Sequence, residues 1–314
     1  MTVRDGMRGH ELPVRVLLAG AVDYAGLFPP AQLDMRGAAS EYASYLASEA
    51  AWALGTFVVS ATRLAELGEA ASALLDSSAD SLGADRFWRV SAVLGADVSA
   101  DVARVDAFHA SHGMDRGAWW ARVEAVELRA STPDAISAAT RVVPGDLDRF
   151  VEVPATGDVD ALVRAIGQAG AYAKIRTGGT SADAFPASAD VVRFLRACVT
   201  HRVPFKATAG LHHPLRGEYP LTYAPDSARG AMYGFLNVML ATALLRAGAD
   251  DATAQAALEE QSRDALVVTE NGITWRGRDL PADALAQSRE HAVRSFGSCS
   301  FREPIDDLAS LGML

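Results

Sequence analysis

Eight short apolar runs, each followed by a stretch of helical periodicity, constrain this 314-residue chain more than any other feature. The runs lie at residues 25–28, 56–60, 87–94, 123–128, 150–153, 171–175, 204–209 and 295–301. Residues 25–28 end in Pro29-Pro30, a strand-then-turn signal. Asp34 and Asp158 stand where they can cap the next helix, and Thr132-Pro133-Asp134 opens another with proline in its first turn. Strands that alternate with helices imply a parallel sheet covered by helices. Eight such units match the (β/α)8 TIM barrel, whose core is usually about 250 residues. An open doubly wound sheet is the competing arrangement, but no glycine-rich nucleotide fingerprint follows any run. The expected fold is therefore α/β: one barrel domain over residues 1–314.

One interval breaks the rhythm. Lys174 and Lys206 are 32 residues apart, an ordinary repeat, whereas Lys206 and Gly297 are 91 apart. The excess reads as a helical and hairpin insertion after strand seven, at about residues 212–293. It holds an apolar helix at 231–245, a second helix near 253–263, and a hairpin turning at Asn271-Gly272, a pair that type I′ turns favour. The apolar stretch is shorter than the roughly 20 residues needed to cross a bilayer. It reads instead as a buried helix or subunit contact, and a homo-oligomer formed through it is expected. Acidic residues outnumber basic ones, 39 to 29, so nucleic acid is not an expected partner, because phosphate binding needs a basic face. Two cysteines with no CxxC pair fit a reducing, cytoplasmic setting, and no membrane segment or secretory signal is visible.

Only two of the 29 basic residues are lysine, Lys174 and Lys206. Arginine stays protonated in proteins, whereas lysine can shed its proton and act as nucleophile or base. A chain that otherwise uses arginine keeps lysine where arginine cannot serve. Both lysines fall in adjacent strand-like runs. In 171–176 the parity of Lys174 and Arg176 points inward, and in 204–209 so does that of Lys206 and Thr208. Glu127, between Val126 and Leu128, and Glu152, between Val151 and Val153, are charges set among strand apolars, costly unless paired or functional. They read either as counter-ions to the lysines or as acid/base groups. Asp23 reads as a capping residue, with Asp23 or Tyr24 reaching the barrel mouth as the alternative; Trp119-Trp120 reads as packing; Cys299 reads as a small buried side chain, with a nucleophile as the alternative although no base is near it in sequence.

Three segments resemble a known family. Lys174-Ile175-Arg176-Thr177-Gly178 is similar to the K-x-x-T-G stretch around the Schiff-base lysine of deoxyribose-phosphate aldolase. Lys206-Ala207-Thr208-Ala209-Gly210 resembles the K-A-x-G-G stretch on that family's next strand. Phe296-Gly297-Ser298-Cys299-Ser300 is similar to its strand-eight phosphate-binding element. The order matches and the likeness covers the last half of the barrel. After Gly210 the chain departs, running Leu211-His212-His213-Pro214 instead of the family's phosphate turn.

The resemblance implies a class I, lyase-type barrel enzyme that forms a lysine Schiff base with a small carbonyl metabolite of anionic character. It implies Lys174 and Lys206 as catalytic residues; the family's acidic residue has no one-to-one match, and Glu127 or Glu152 is the expected proton shuttle from its place among the strands. Arg176, Thr177, Gly178, Gly179, Thr208, Gly210, His212, His213, Gly297 and Ser298 are then substrate contacts, and no cofactor is needed. A second reading has Glu127, Glu152 and a histidine holding a divalent metal, in an isomerase, lyase or hydrolase that uses lysine as acid and base. A third is a barrel that binds a metabolite without catalysis.

Overall fold

The computed structural model describes residues 12–77, 87–112 and 120–314. In chain order its elements are α1 (Pro13–Leu18), β1 (Val22–Tyr24), α2 (Met35–Leu46), β2 (Leu54–Ser60), α3 (Leu64–Ser77), β3 (Phe87–Val93), α4 (Val98–His112), β4 (Trp120–Arg129), α5 (Pro133–Val142), β5 (Asp148–Glu152), α6 (Val159–Gln168), β6 (Tyr172–Arg176), α7 (Ser188–His201) and β7 (Phe205–Thr208). There follow β8 (Gly217–Pro220), β9 (Arg229–Met232), α8 (Phe235–Arg246), α9 (Asp251–Leu258), β10 (Leu266–Thr269), β11 (Gly272–Trp275), β12 (Arg278–Pro281), α10 (Ala282–His291), β13 (Val293–Ser298) and α11 (Arg302–Ser310). Strands β1 to β7 pair in sequence, and β13 closes the ring between β7 and β1, giving a closed eight-stranded parallel barrel. Segments β8 to α10 are inserted between the seventh and eighth barrel strands, as expected.

Local chemistry sets many of the boundaries. Asp34, Thr132 and Asp158 each accept a hydrogen bond from the backbone N–H three residues on, the N-cap geometry that satisfies an otherwise orphaned donor. The first strand is not at residues 25–28 but at Val22–Tyr24, buried throughout. The apolar run after it is turn, with Phe28 N–H donating to Ala25 C=O. That shift changes which side chain faces the lumen.

The helix expected at 231–245 corrects another expectation. Every position of α8 from Phe235 to Leu245 is buried inside the one chain, where the helix packs on α7, α9, α10 and β13. Asn237, its buried polar member, donates to the carbonyls of Ala257 and Glu260 and accepts from Arg216 N–H. No apolar face is left over, so the subunit contact expected through this helix is overturned; its hydrophobicity is consumed in covering the barrel between β7 and β13. Among the described residues no helix is long and apolar enough to cross a membrane.

The hairpin is a three-stranded antiparallel sheet, β10-β11-β12. Its first turn is Glu270-Asn271, one residue earlier than expected, because Thr269 pairs with Gly272. Gly272 instead opens β11, where a Cβ would stand 2.3 Å from the Leu280 carbonyl oxygen. The second turn, Arg276-Gly277, has φ of 46° and 76°, the pair of positive angles that a type I′ turn needs. Buried Glu260 ties this sheet to the helices. It accepts from the N–H groups of Gln261 and Ser262, from Trp275 Nε1 at 3.1 Å and from Arg276 Nε at 2.5 Å. Glu260→Ala strands these donors, and chemical denaturation is expected to show a loss of about 1–3 kcal/mol. An unchanged midpoint counts against this role for the carboxylate.

Candidate active site

The barrel wall carries a continuous polar row. Register pairs Ser295 of β13 with Lys206 of β7, Lys206 with Lys174 of β6, Lys174 with Glu152 of β5, and Glu152 with Arg129 of β4. Partners in register share a face of a parallel sheet, so the side chains enter one space. Two irregularities of register help. The pairing of β3 with β4 shifts between Val90 and Ser91, which leaves Glu124 as the extra residue. The pairing of β13 with β7 shifts between Val293 and Ser295. Such bulges re-aim side chains at barrel rims.

Five charged side chains meet there. Glu127 joins the two lysines: its Oε2 lies 2.8 Å from Lys174 Nζ and its Oε1 2.5 Å from Lys206 Nζ. Ser91 Oγ donates to the same Oε1 at 2.8 Å. Lys206 Nζ also lies 2.7 Å from Asp23 Oδ2 and 5.6 Å from the centre of the Phe150 ring. Asp23 is fully engaged, with Oδ1 accepting from Thr56 N–H and Oγ–H and Oδ2 accepting from Ser295 Oγ. Glu152 is used asymmetrically. Its Oε1 accepts from Arg129 Nε at 2.8 Å, while its buried Oε2 is 2.7 Å from Lys174 Nζ but lacks any well-aligned hydrogen-bond donor. Lys174 is 7% exposed and Lys206 1%.

Burial disfavours each charge, and pairing overrides it. The Glu127 carboxyl is held well below the usual carboxylate range because the two ammonium groups outweigh its desolvation. Glu152 is lowered as well, its burial outweighed by Lys174 and Arg129. Lys206 is pushed above the ordinary lysine value, its burial outweighed by Asp23 and Glu127. The second lysine is thus held toward its charged form by two carboxylates.

The network opens at the C-terminal ends of the strands, where active sites of such barrels lie. A cavity of about 250 Å³ there is lined by Lys174, Lys206, Glu127 and Thr208 from the strands and by Pro29 and Pro30 from the loop after β1. Gly179, Gly210, Gly297 and His212 also reach it. Ala209 and Gly210 have φ of 68° and 72°, a left-handed turn that brings backbone to the cavity wall. Arg129 and Arg176 line both this cavity and an adjoining groove of about 740 Å³, which also takes in Glu152 and Gly178.

The remaining expected contacts have hydrogen-bond partners within the chain. Thr177 is buried, its hydroxyl donating to the Ala209 carbonyl at 2.8 Å, so it ties two loops together. Ser298 is buried beside His212. His213 turns away from the cavity, with Nδ1 2.6 Å from Asp307 and the ring stacked on Tyr219 at 3.6 Å. His212 Nδ1 lies 2.9 Å from Glu303, while Glu127 and Glu152 are committed to lysines. Among the described residues no group of three or more His, Cys, Asp or Glu side chains could hold a metal ion.

Sequence reasoning named Asp23 and Cys299 but left them out of the site, and it did not single out Arg129. Asp23 carried the same signal as Glu127, a charge between strand apolars (Val22 and Tyr24), but the misplaced first strand hid it. Arg129 sits two residues beyond Glu127 and shares its parity. The partners of Cys299, namely His212 and Tyr223, and the Glu303 that both of them contact, are close only in space. Trp119 lies outside the described residues.

The barrel and the cavity at its strand ends are an architecture consistent with enzymes in general. The chain matches no protein-family model and no curated protein.

Proposed function

We propose that this protein is a lyase that forms a Schiff base between Lys174 and a small carbonyl compound and makes or breaks a carbon–carbon bond. The observation that carries this reading is the placement of Lys174 Nζ: it faces the mouth cavity, 2.7–2.8 Å from two carboxylates, beside a second lysine that is paired with Asp23 and Glu127.

Attack on a carbonyl requires the free amine. Glu152 Oε2, 2.7 Å away and without an aligned donor, is the acceptor to which the Lys174 ammonium passes its proton. Lys206 keeps Glu127 ionised, so Glu127 remains a counter-charge while Glu152 cycles. The amine adds to the carbonyl carbon to form a carbinolamine. The proton returning from Glu152 to the hydroxyl lets water leave and an iminium remain. The iminium draws the electron pair of the bond between its α- and β-carbons; as that bond breaks to an enamine, the β-hydroxyl gives its proton to Glu152 and the other fragment leaves as an aldehyde, and the reverse sequence forms the bond. Protonation of the enamine and hydrolysis restore Lys174. Arg129 and Arg176, at the boundary between cavity and groove, suit an anionic end of the substrate, because guanidinium groups bind carboxylate or phosphate through paired N–H donors.

The test is reductive trapping. The protein is treated with borohydride in the presence of a panel of short aldehydes, ketones and 2-oxo acids, then digested for peptide mass analysis. A stable mass addition on the peptide bearing Lys174 is the expected result. Absence of an adduct with every member of the panel, or addition at Lys206 alone, overturns the assignment.

A further inference from the structure

Cys299 follows the last residue of β13 and lines the mouth cavity with the two lysines. It is 5% exposed, and polar groups surround its sulfur. Tyr223 Oη lies 3.4 Å from Sγ, and Nδ1 and Nε2 of His212 lie 3.8 and 3.9 Å from it. The near-equal distances set the sulfur beside the imidazole and off the axis of either N–H, so the ring acts on it chiefly as a charge. Glu303 keeps that charge in place. Its Oε2 lies 2.9 Å from His212 Nδ1 and 2.9 Å from Tyr223 Oη. Burial of His212 opposes protonation, but Cys299 and Glu303 outweigh it and raise the imidazole to about 9. Cysteines become nucleophilic beside a protonated histidine and remain inert in apolar surroundings. The other free cysteine, Cys198, supplies that contrast: it lies in the buried face of α7, and burial pushes its thiol well up.

We propose that Cys299 is a second nucleophile of the cavity and a covalent modification site for small α,β-unsaturated carbonyl compounds. Sγ bonds to the β-carbon, the double-bond electrons shift toward the carbonyl oxygen as an enolate, and the α-carbon takes up a proton equivalent to the one the thiol released. The S–H is thus added across the double bond with no leaving group and no oxidant. The adduct stands in the same cavity as Lys174. The inference rests on the thiol's neighbours and not on lysine chemistry.

The experiment uses N-ethylmaleimide on the intact protein near neutral pH, with time points read by peptide mass analysis. Cys299 is expected to react at least about tenfold faster than Cys198 in the folded protein, and the two at similar rates in denaturant. Tyr223→Phe and His212→Asn are each expected to slow Cys299 several-fold and to leave Cys198 unmoved. Equal rates for the two cysteines in the folded protein overturn the proposal. So does a Cys299 rate that neither variant changes, since exposure alone then accounts for it. Because tyrosine 223 is half exposed, Tyr223→Phe provides a variant that folds even if His212→Asn does not.

Discussion

Lys174→Arg keeps the barrel folded and traps no carbonyl compound under borohydride. The replacement preserves the positive charge between Glu127 and Glu152, which lie 2.8 and 2.7 Å from the native ammonium, so neither carboxylate is left buried and unpaired. The longer side chain has the mouth cavity of about 250 Å³ to extend into. What is lost is the ability to deprotonate, since a guanidinium keeps its proton throughout the accessible pH range. With no free amine there is no carbinolamine and nothing for hydride to reduce, so the adduct at residue 174 disappears altogether. Turnover on any substrate that the trapping panel identifies falls by more than about 10³-fold, as when a covalent nucleophile is removed. Thermal melting and circular dichroism serve as the folding control. A well-folded arginine variant that retains turnover refutes covalent catalysis at this position.

Removing Glu127 has the opposite profile, a large effect on stability. Its two oxygens bind both lysines as well as Ser91, and it is 2% exposed. Glu127→Ala leaves Lys206 with Asp23 alone and Lys174 with Glu152 alone, and it opens a void in the lumen. Breaking a buried ion pair from one side costs about 3–5 kcal/mol, so urea denaturation of Glu127→Ala is expected to show a loss of that order. Glu127→Gln, which keeps the shape and a hydrogen-bond acceptor, loses less. A loss below about 1 kcal/mol for the alanine variant argues that the network is not a buried unit.

The same network sets the dependence of stability on pH. Glu127 and Glu152 titrate lower in the folded chain than in the unfolded one. Their contribution is complete above the unfolded carboxylate value of about 4.3 and is lost as pH falls through the lower folded values. Lys206 titrates higher when folded. Its contribution is complete below about 10.4 and is lost as pH rises through its raised folded value. Glu127→Gln flattens the acid limb of this profile, which melting temperatures across a pH series measure.

Strand and helix alternation, the N-caps at Asp34, Thr132 and Asp158, the insertion after the seventh barrel strand and the inward parity of Lys174 and Lys206 were all legible along the chain. Each depends on contacts within a few residues or on the two-residue period of a strand. The first strand was less legible, because Val22–Tyr24 is only three residues long and the apolar run after it is turn. The role of the helix at 231–245 was also hidden. An apolar helix looks the same in sequence whether its outer face meets a second subunit or, as here, other helices of its own chain.

The lysine-poor, arginine-rich composition pointed to the two residues around which the lumen is organised, because amine chemistry is written in residue type. Which carboxylates they meet was not. Asp23 reaches Lys206 from 183 residues away, and Cys299 meets His212 from 87 residues away. Both contacts arise because barrel closure sets β13 between β7 and β1. Charges far apart in sequence are paired by the register of strands around a closed ring, and that register emerges only when the whole ring packs.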